Sequence, residues 1–247
     1  MSRVDRLRAE VRLEYRSFVR RRTALFFTMV FPVLVVVAFA LAIRAGDGRF
    51  LGAEASYFLP GYLALMLVFA PMSRLSGSVP RDREAGRLEK RATTPLRRWE
   101  WVTARVVVVS ALAAVPALAV LLVGATLTSA TAAPSPWLVP LGLAVVTTFA
   151  GVGVVIGRLS DSEDGAIAVS NAIGFPLVFL SDTLLPPSVL PGWAEGVLVL
   201  SPVTHFARAC RAALAGGQPG LVELVVLAAV AVGAFVVGVV ALPVVRR

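Results

Sequence analysis

Most residues in this chain that could do chemistry are arginine and glutamate. There is one histidine, His205, and one cysteine, Cys210. A single cysteine excludes an intramolecular disulfide and a cysteine metal cage, and a single histidine excludes a paired-histidine metal motif. No Gly-x-x-x-x-Gly-Lys phosphate loop occurs anywhere. Asp161, Glu163 and Asp164 are close enough to suggest a metal site, but read more simply as a solvated turn. The segment 80–95, PRDREAGRLEKRATTP, stands out. Its charges alternate in sign, Gly86 interrupts it, and Thr94-Pro95 ends it. Its chemistry is that of docking. Arg83, Glu84 and Glu89 offer ion pairs, Gly86 permits close backbone approach, and Leu88 is a small apolar knob between charges. Ser78 is expected to cap a short helix starting near Pro80, and Pro95 keeps Thr94 out of helical geometry.

The elements that must carry this segment are apolar. The chain has 247 residues, 57% of them hydrophobic and only 16% charged; soluble domains average about 25% charged. Runs near 20 apolar residues are long enough to cross a bilayer. Six are expected, at 24–43, 57–72, 102–127, 137–157, 166–185 and 221–245, with Pro116 a kink in the third. Ahead of them, residues 3–22 place Val4, Leu7, Val11, Tyr15 and Phe18 at helical spacing among arginines. That pattern suits an amphipathic helix lying in the membrane interface with its arginines on anionic headgroups. Arg21-Arg22 and Ala40-Leu41-Ala42 have the composition of a twin-arginine signal and a cleavage site. Run 24–43, however, exceeds the about 7–15 residues of a signal core, so an uncleaved first span is expected.

The net charge is +9. The arginines sit in short loops and at the chain start, which speaks for membrane topology rather than nucleic acid. Eight arginines precede the first run. A second group, from Arg74 to Arg105, lies between the second and third. Arg158, Arg246 and Arg247 fall on the same side, and the opposite loops hold only Arg44, Arg49, Arg208 and Arg211. Positive loops stay in the cytoplasm, so both termini and the segment 80–95 are expected there. Ser76 and Ser78 would need His205 as a base for protease chemistry, and His205 falls on the other side. Asp182 and Glu223 lie near the outer ends of their runs, where interfacial water could solvate them, so a deep proton pathway is not indicated. Between the fifth and sixth runs, Pro186-Pro187, Ser201-Pro202 and Gly216-Gly217-Gln218-Pro219 cut residues 186–219 into two short apolar pieces. These read as a re-entrant helical hairpin in the outer leaflet, a form tolerated only where protein or a water-filled cavity shelters it.

On these residues the chain resembles the ABC-2 type permeases, including the daunorubicin-resistance-like drug-efflux subunits. The resemblance rests on Arg83-Glu84-Ala-Gly86-Arg-Leu88-Glu89, Thr94-Pro95, Arg98-Trp99-Glu100, and the element Pro202-Val-Thr204-His-Phe206-Ala-Arg208-Ala-Cys-Arg211. Arg91 and Ala92 depart from the pattern, since relatives are more apolar before the Thr-Pro pair. The resemblance implies an all-α integral membrane protein with six transmembrane helices, an N-terminal interfacial helix, a cytoplasmic coupling helix within 78–98, and the re-entrant hairpin. It implies that the segment docks into a separate cytoplasmic ATPase, which binds ATP and Mg. The chain itself would hold no cofactor and would pair with a second copy or a paralogue in the plasma membrane. Ser170 and Asn171 become polar contacts of a substrate pathway for an amphipathic or lipid-like cargo moved outward. An ATP-independent secondary transporter, or a membrane scaffold recruiting a soluble partner, is the alternative.

Overall fold

The computed structural model describes residues 3–20, 26–45, 49–50, 53–94, 96–127, 135–184, 192 and 194–242. Arg21, Arg22, Pro95, Pro186, Pro187, Arg246 and Arg247 therefore lie outside the described residues. Apart from a two-residue antiparallel pair, Arg49–Phe50 with Ala53–Glu54, the described elements are helical. They are α1 (Arg3–Val19), a wide π-helical turn (Phe26–Val30) leading into α2 (Phe31–Ala45), a short 3-10 turn (Ala55–Phe58) leading into α3 (Leu59–Glu84), α4 (Arg87–Ala92), α5 (Arg98–Leu127), α6 (Leu138–Leu159), α7 (Glu163–Phe179), α8 (Ala194–Leu200), α9 (Pro202–Leu214) and α10 (Leu221–Ala241). Among the described residues, four helical stretches are long and apolar enough to cross a membrane: Ser56–Glu84, Arg98–Thr126, Leu138–Leu159 and Leu221–Ala241. Phe31–Ala42 is apolar but shorter, and α7 has 17 residues. Outward faces of α5, α7 and α10 are apolar: Leu118, Leu122, Phe175, Val236 and Val240 are all exposed. An aqueous surface would not carry so continuous an apolar coat.

The second run behaves differently from its expectation. Read as 57–72 it is short, but α3 continues without a break to Glu84, through both Pro71 and Pro80. At about 1.5 Å per residue its 26 residues reach about 39 Å, longer than a hydrocarbon core of about 30 Å. Ser78 is thus no cap for a helix starting at Pro80; it lies inside α3, where its hydroxyl donates to Leu75 O at 2.9 Å. Ser76 Oγ likewise donates to Ser73 O. Both hydroxyls are thus satisfied within the helix, at carbonyls other than the one that Pro80 leaves without a donor, that of Ser76.

Helix α3 sits at the centre, packed on α6, α7 and α5, with α10 on the far side of α6. Close approach is set by glycines that the sequence reading did not single out. A Cβ at Gly153 would fall 2.5 Å from Met72 O, and one at Gly157 would strike Ser76 O. Pro80 has no N–H to offer Ser76 O, its partner four residues back, so that carbonyl is free to face Gly157. Two residues earlier and on the opposite side of α6, Gly151 abuts Ala234 O and Gly238 of α10. Small residues that let backbones meet are the usual basis of helix association in lipid. The two faces of α6 therefore clamp α3 and α10 into one unit.

Helix α7 begins at a cap, with Ser162 Oγ accepting from Gly165 N at 3.1 Å. Glu163 and Asp164 occupy its first turn, where negative charge complements the helix dipole. It stops short of the expected 185, because Ser181 and Thr183 hydroxyls both donate to Val178 O and close the last turn. Between α8 and α9 the chain breaks at Ser201-Pro202. Helix α9 then enters the bundle with Val203, Phe206, Ala209, Cys210 and Ala213 buried against α10, α3 and α6.

Gly157→Leu should force α6 off α3 and cost about 1–3 kcal/mol as overpacking against backbone, lowering the unfolding midpoint of the detergent-purified protein. Gly233→Ala, where an added Cβ meets nothing within 4 Å, should leave it unchanged or slightly raised.

Candidate functional site

The charged residues of the sequence assemble at one end of the bundle around the start of α5. Arg105 is only 2% exposed. Its guanidinium meets Glu10 at 3.1 Å, Asp82 at 3.3 Å and Glu14 at 3.4 Å, and it lies 3.5 Å over the Trp101 ring. Glu14 also takes Arg74 at 2.7 Å, and Asp82 takes Arg87 at 2.9 Å. Three carboxylates and three arginines from α1, α3, α5 and the start of α4 thus form one network. Nearby, Arg6 pairs with Glu100 at 3.0 Å, while Glu100 accepts from Arg97 N at 2.7 Å. Burial pushes the Glu14 carboxyl up, but Arg105 and Arg74 outweigh it and hold the group below the usual carboxylate range. Its stabilisation is therefore complete at neutral pH and is lost only as pH falls through that lowered value.

This geometry revises the reading of α1. Its apolar stripe splits: Phe18 is buried with Val108 and Leu112, and Val11 packs beside them, but Val4 and Tyr15 are exposed. Glu10 and Glu14, which share the inward face with Phe18, are the residues that anchor the helix.

The segment after α3 is rooted in the same corner. Arg83 donates to Arg158 O and Ser160 O, both at 3.3 Å, at the carboxyl end of α6, where a cation is favoured. Ala85 and Gly86 then reverse the chain. Gly86 takes φ +60°, the left-handed region that glycine enters without a Cβ penalty. Helix α4 starts only at Arg87. Glu84, Glu89 and Thr94 face outward, but Leu88 is buried, so it is a root of the segment rather than an exposed knob. Arg98 donates to Val240 O at 3.3 Å, bringing the end of α10 to the same corner.

A second ionic cluster sits at the other end of α3. Asp182, which the sequence placed in interfacial water, is 6% exposed and fully engaged. It pairs with Arg211 at 2.8 Å and Arg208 at 3.3 Å and accepts from Tyr57 Oη at 2.5 Å. Arg211 also donates to Asp182 O and stacks 4.0 Å over the Tyr57 ring. The arginines of the 202–211 element thus fasten α9 to the end of α7 and the approach to α3. His205 bonds Val199 O at 2.9 Å across the Ser201-Pro202 break, and Glu223 sits in the first turn of α10.

Midway, Ser170 is fully buried and donates to Ser76 Oγ at 2.7 Å, so it holds α7 on α3. Ser73 donates to Asn171 Oδ1 at 3.4 Å, and both remain partly accessible. Among the described residues no group of three or more His, Cys, Asp or Glu side chains is placed to hold a metal ion.

The family model of the ABC-2 type transporter matches residues 6–215. The chain belongs to that family. Among curated relatives, the probable multidrug ABC transporter permease YbhR of Escherichia coli K12 is 26% identical over 159 residues, 61% of this chain and 41% of the relative. The daunorubicin resistance ABC transporter permease protein DrrB1 of Streptomyces coeruleorubidus is 29% identical over 79 residues, 32% of this chain and 26% of the relative. The matched regions thus span less than half the length of these relatives. ABC-2 membership covers both ionic corners and the segment between α3 and α5. It makes the chain one of a family of permease subunits rather than of ATP-binding subunits.

Arg105→Met should remove the guanidinium that Glu10, Glu14 and Asp82 share, leaving Arg74 and Arg87 to hold only two of them, and should cost about 3–5 kcal/mol as a broken buried ion pair; loss of monodisperse protein on gel filtration reads it. Glu14→Gln should weaken the attachment of α1 less, since Glu10 and Asp82 still hold Arg105. It should also remove the part of the acid-induced loss of stability that Glu14 contributes.

Proposed function

We propose that this chain is the membrane-spanning permease subunit of an ATP-binding-cassette exporter. ATP with Mg is hydrolysed on a separate cytoplasmic ATPase, and two permease chains, identical or paralogous, surround the route. The six crossings of this reading include α2 with its wide leading turn and the 17-residue α7, alongside the four longer stretches. The termini and the Arg105 corner face the cytoplasm, and α8 with α9 form the re-entrant pair dipping into the outer leaflet. Cargo is amphipathic or lipid-like.

The observation that carries this reading is the construction of the segment around Gly86. Its inner side is fastened, through Arg83 to the end of α6 and through Arg87 to Asp82. Its outer side presents Glu84 and Glu89, both exposed. A solvated loop needs no such footing, whereas a lever does. An ATPase pressing on Glu84, Glu89 and Thr94-Pro95 would pass its motion into α3 and α6 as rigid bodies.

Glu84→Arg and Gly86→Val test this. Neither should prevent membrane insertion, because Glu84 is exposed and Gly86 lies between helices. Each should lower co-purification of an ATP-binding-cassette ATPase, or abolish the stimulation of ATP hydrolysis by cargo, by tenfold or more. Wild-type ATPase binding and export in both variants would remove the coupling role from this segment.

A further inference from the structure

Three neighbouring cavities follow one flank of α3, and their chemistry changes in one direction. The first, of about 750 Å³, is lined by Arg12, Arg16 and Arg20 together with Arg81, Arg87 and Arg105. Its two acidic lining residues, Glu14 and Asp82, are already engaged by Arg74, Arg87 and Arg105. Arg12, Arg16 and Arg20 are exposed, recur every four residues and so share a face of the helical backbone, and take part in none of the ion pairs among the described residues. The second cavity, of about 210 Å³, shares Ser17 and Arg81 with the first. Its charges are matched, Arg74 with Glu14 and Arg81 with Glu163. The third, of about 410 Å³, shares Ala70 and Ser73 with the second and is walled by Phe31, Val35, Tyr62, Leu65, Phe69 and Phe175. No ionisable group other than the Tyr62 phenol lines it.

The dimensions match a leaflet. From Tyr62 to Ser73 α3 rises about 17 Å at about 1.5 Å per residue, close to the about 15 Å of hydrocarbon in half a bilayer. We propose that this flank binds one anionic phospholipid of the cytoplasmic leaflet, with its phosphate among Arg12, Arg16 and Arg20 and an acyl chain in the groove between α2, α3 and α7. Arginine forks recognise phosphate oxygens in pairs, and clustered basic residues beside a membrane select anionic headgroups. A free phosphate would leave the apolar end unused. A zwitterionic lipid would gain little from three unpaired guanidiniums. An acidic protein segment would satisfy the arginines and leave the groove empty. The proposal takes from the transport reading only its orientation, with α1 toward the cytoplasm; binding requires no ATP.

Native mass spectrometry of the full chain in neutral detergent tests it. The probes are dipalmitoyl phosphatidylglycerol, dipalmitoyl phosphatidylcholine and inorganic phosphate. Phosphatidylglycerol should bind at least tenfold more tightly than phosphatidylcholine, and inorganic phosphate should not displace it. The combined Arg12→Gln, Arg16→Gln, Arg20→Gln variant should bring the two lipids to equal affinity. Val35→Trp with Leu65→Trp should weaken both lipids while keeping the preference. If the triple variant does not yield folded protein by circular dichroism, Arg16→Gln alone and a rise from 0.05 to about 0.5 M salt should each reduce the preference. Equal affinity for the two lipids in the wild type, a preference untouched by the arginine changes, or displacement by phosphate would each overturn the proposal. Intact phosphatidylglycerol selectivity in a chain whose Glu84→Arg variant still couples normally would leave this site standing and the lever reading fallen, so the two fail separately.

Discussion

A guanidinium almost sealed from water is tolerable only where carboxylates are brought to it, and Arg105 imposes that condition on the whole charged corner. Glu10 and Glu14 come from α1 and Asp82 from α3, so neither helix can settle elsewhere without stranding a buried charge. The depth of α1 against α3 is fixed again by Arg74 on Glu14, and the start of α4 by Arg87 on Asp82. The network is also why α1 presents its remaining arginines outward. Once Glu10, Glu14 and Phe18 define the inner face, Arg12 and Arg16 are left on the rim of a cleft with no carboxylate to meet.

Helix α3 is held differently along its length, and the differences follow from what each depth allows. The end that carries Arg74 and Asp82 is held by full charges. Its middle is held by carbonyl-to-glycine contacts with α6 and by hydroxyl pairs such as Ser76 with Ser170, which stay satisfied without water. At the far end Tyr57 meets Asp182, Arg208 and Arg211. Proline at 80 is tolerated in this helix because α6 presents Gly157 where the Ser76 carbonyl is bare.

Much of this was legible from residue types, and the remainder was not for identifiable reasons. Run length and charge placement give the membrane class, and the ABC-2 resemblance can be read from 83–100 and 202–211. The Ser201-Pro202 break could be read because a proline there removes a donor and fixes a dihedral locally. The extent of α3 could not, since proline normally ends a helix and only the neighbouring α6 makes Pro80 tolerable. Leu88 looked like an exposed knob because its neighbours in sequence are charged, while its burial depends on how the reversal at Gly86 folds α4 back. Asp182 was left to interfacial water by the same logic, since its arginine partners are 26 and 29 positions away. Ser170 and Asn171 are neighbours on α7, yet one is buried on Ser76 and the other is partly accessible beside Ser73, a difference set by helix rotation that residue type does not reveal. One signal was available and unused: Gly151, Gly153 and Gly157 stand on two faces of one apolar helix, the pattern of an element clamped from both sides.

The distribution of ionisable groups constrains how such a bundle can move. Among the described residues, charges are concentrated at the two ends of α3, where the buried ones are matched by partners on other helices, and the zone between is joined by hydroxyls, glycines and apolar side chains. Ion pairs of this kind have one satisfied arrangement, so the ends behave as rigid joints. The middle has no charge to strand when helices slide or part by a few ångströms. On the transport reading, a displacement applied at α4 would be transmitted by Asp82 and Arg83 into α3 and α6 together, with no proton or ion needed within the membrane. The side that would open and close is at α2: α6 and α7 are packed closely on α3, but α2 makes few contacts with it. The groove between them is therefore a consequence of where the glycines are and are not. Helices that cannot approach closely leave a space, and in a bilayer an apolar space of that depth is filled by a chain.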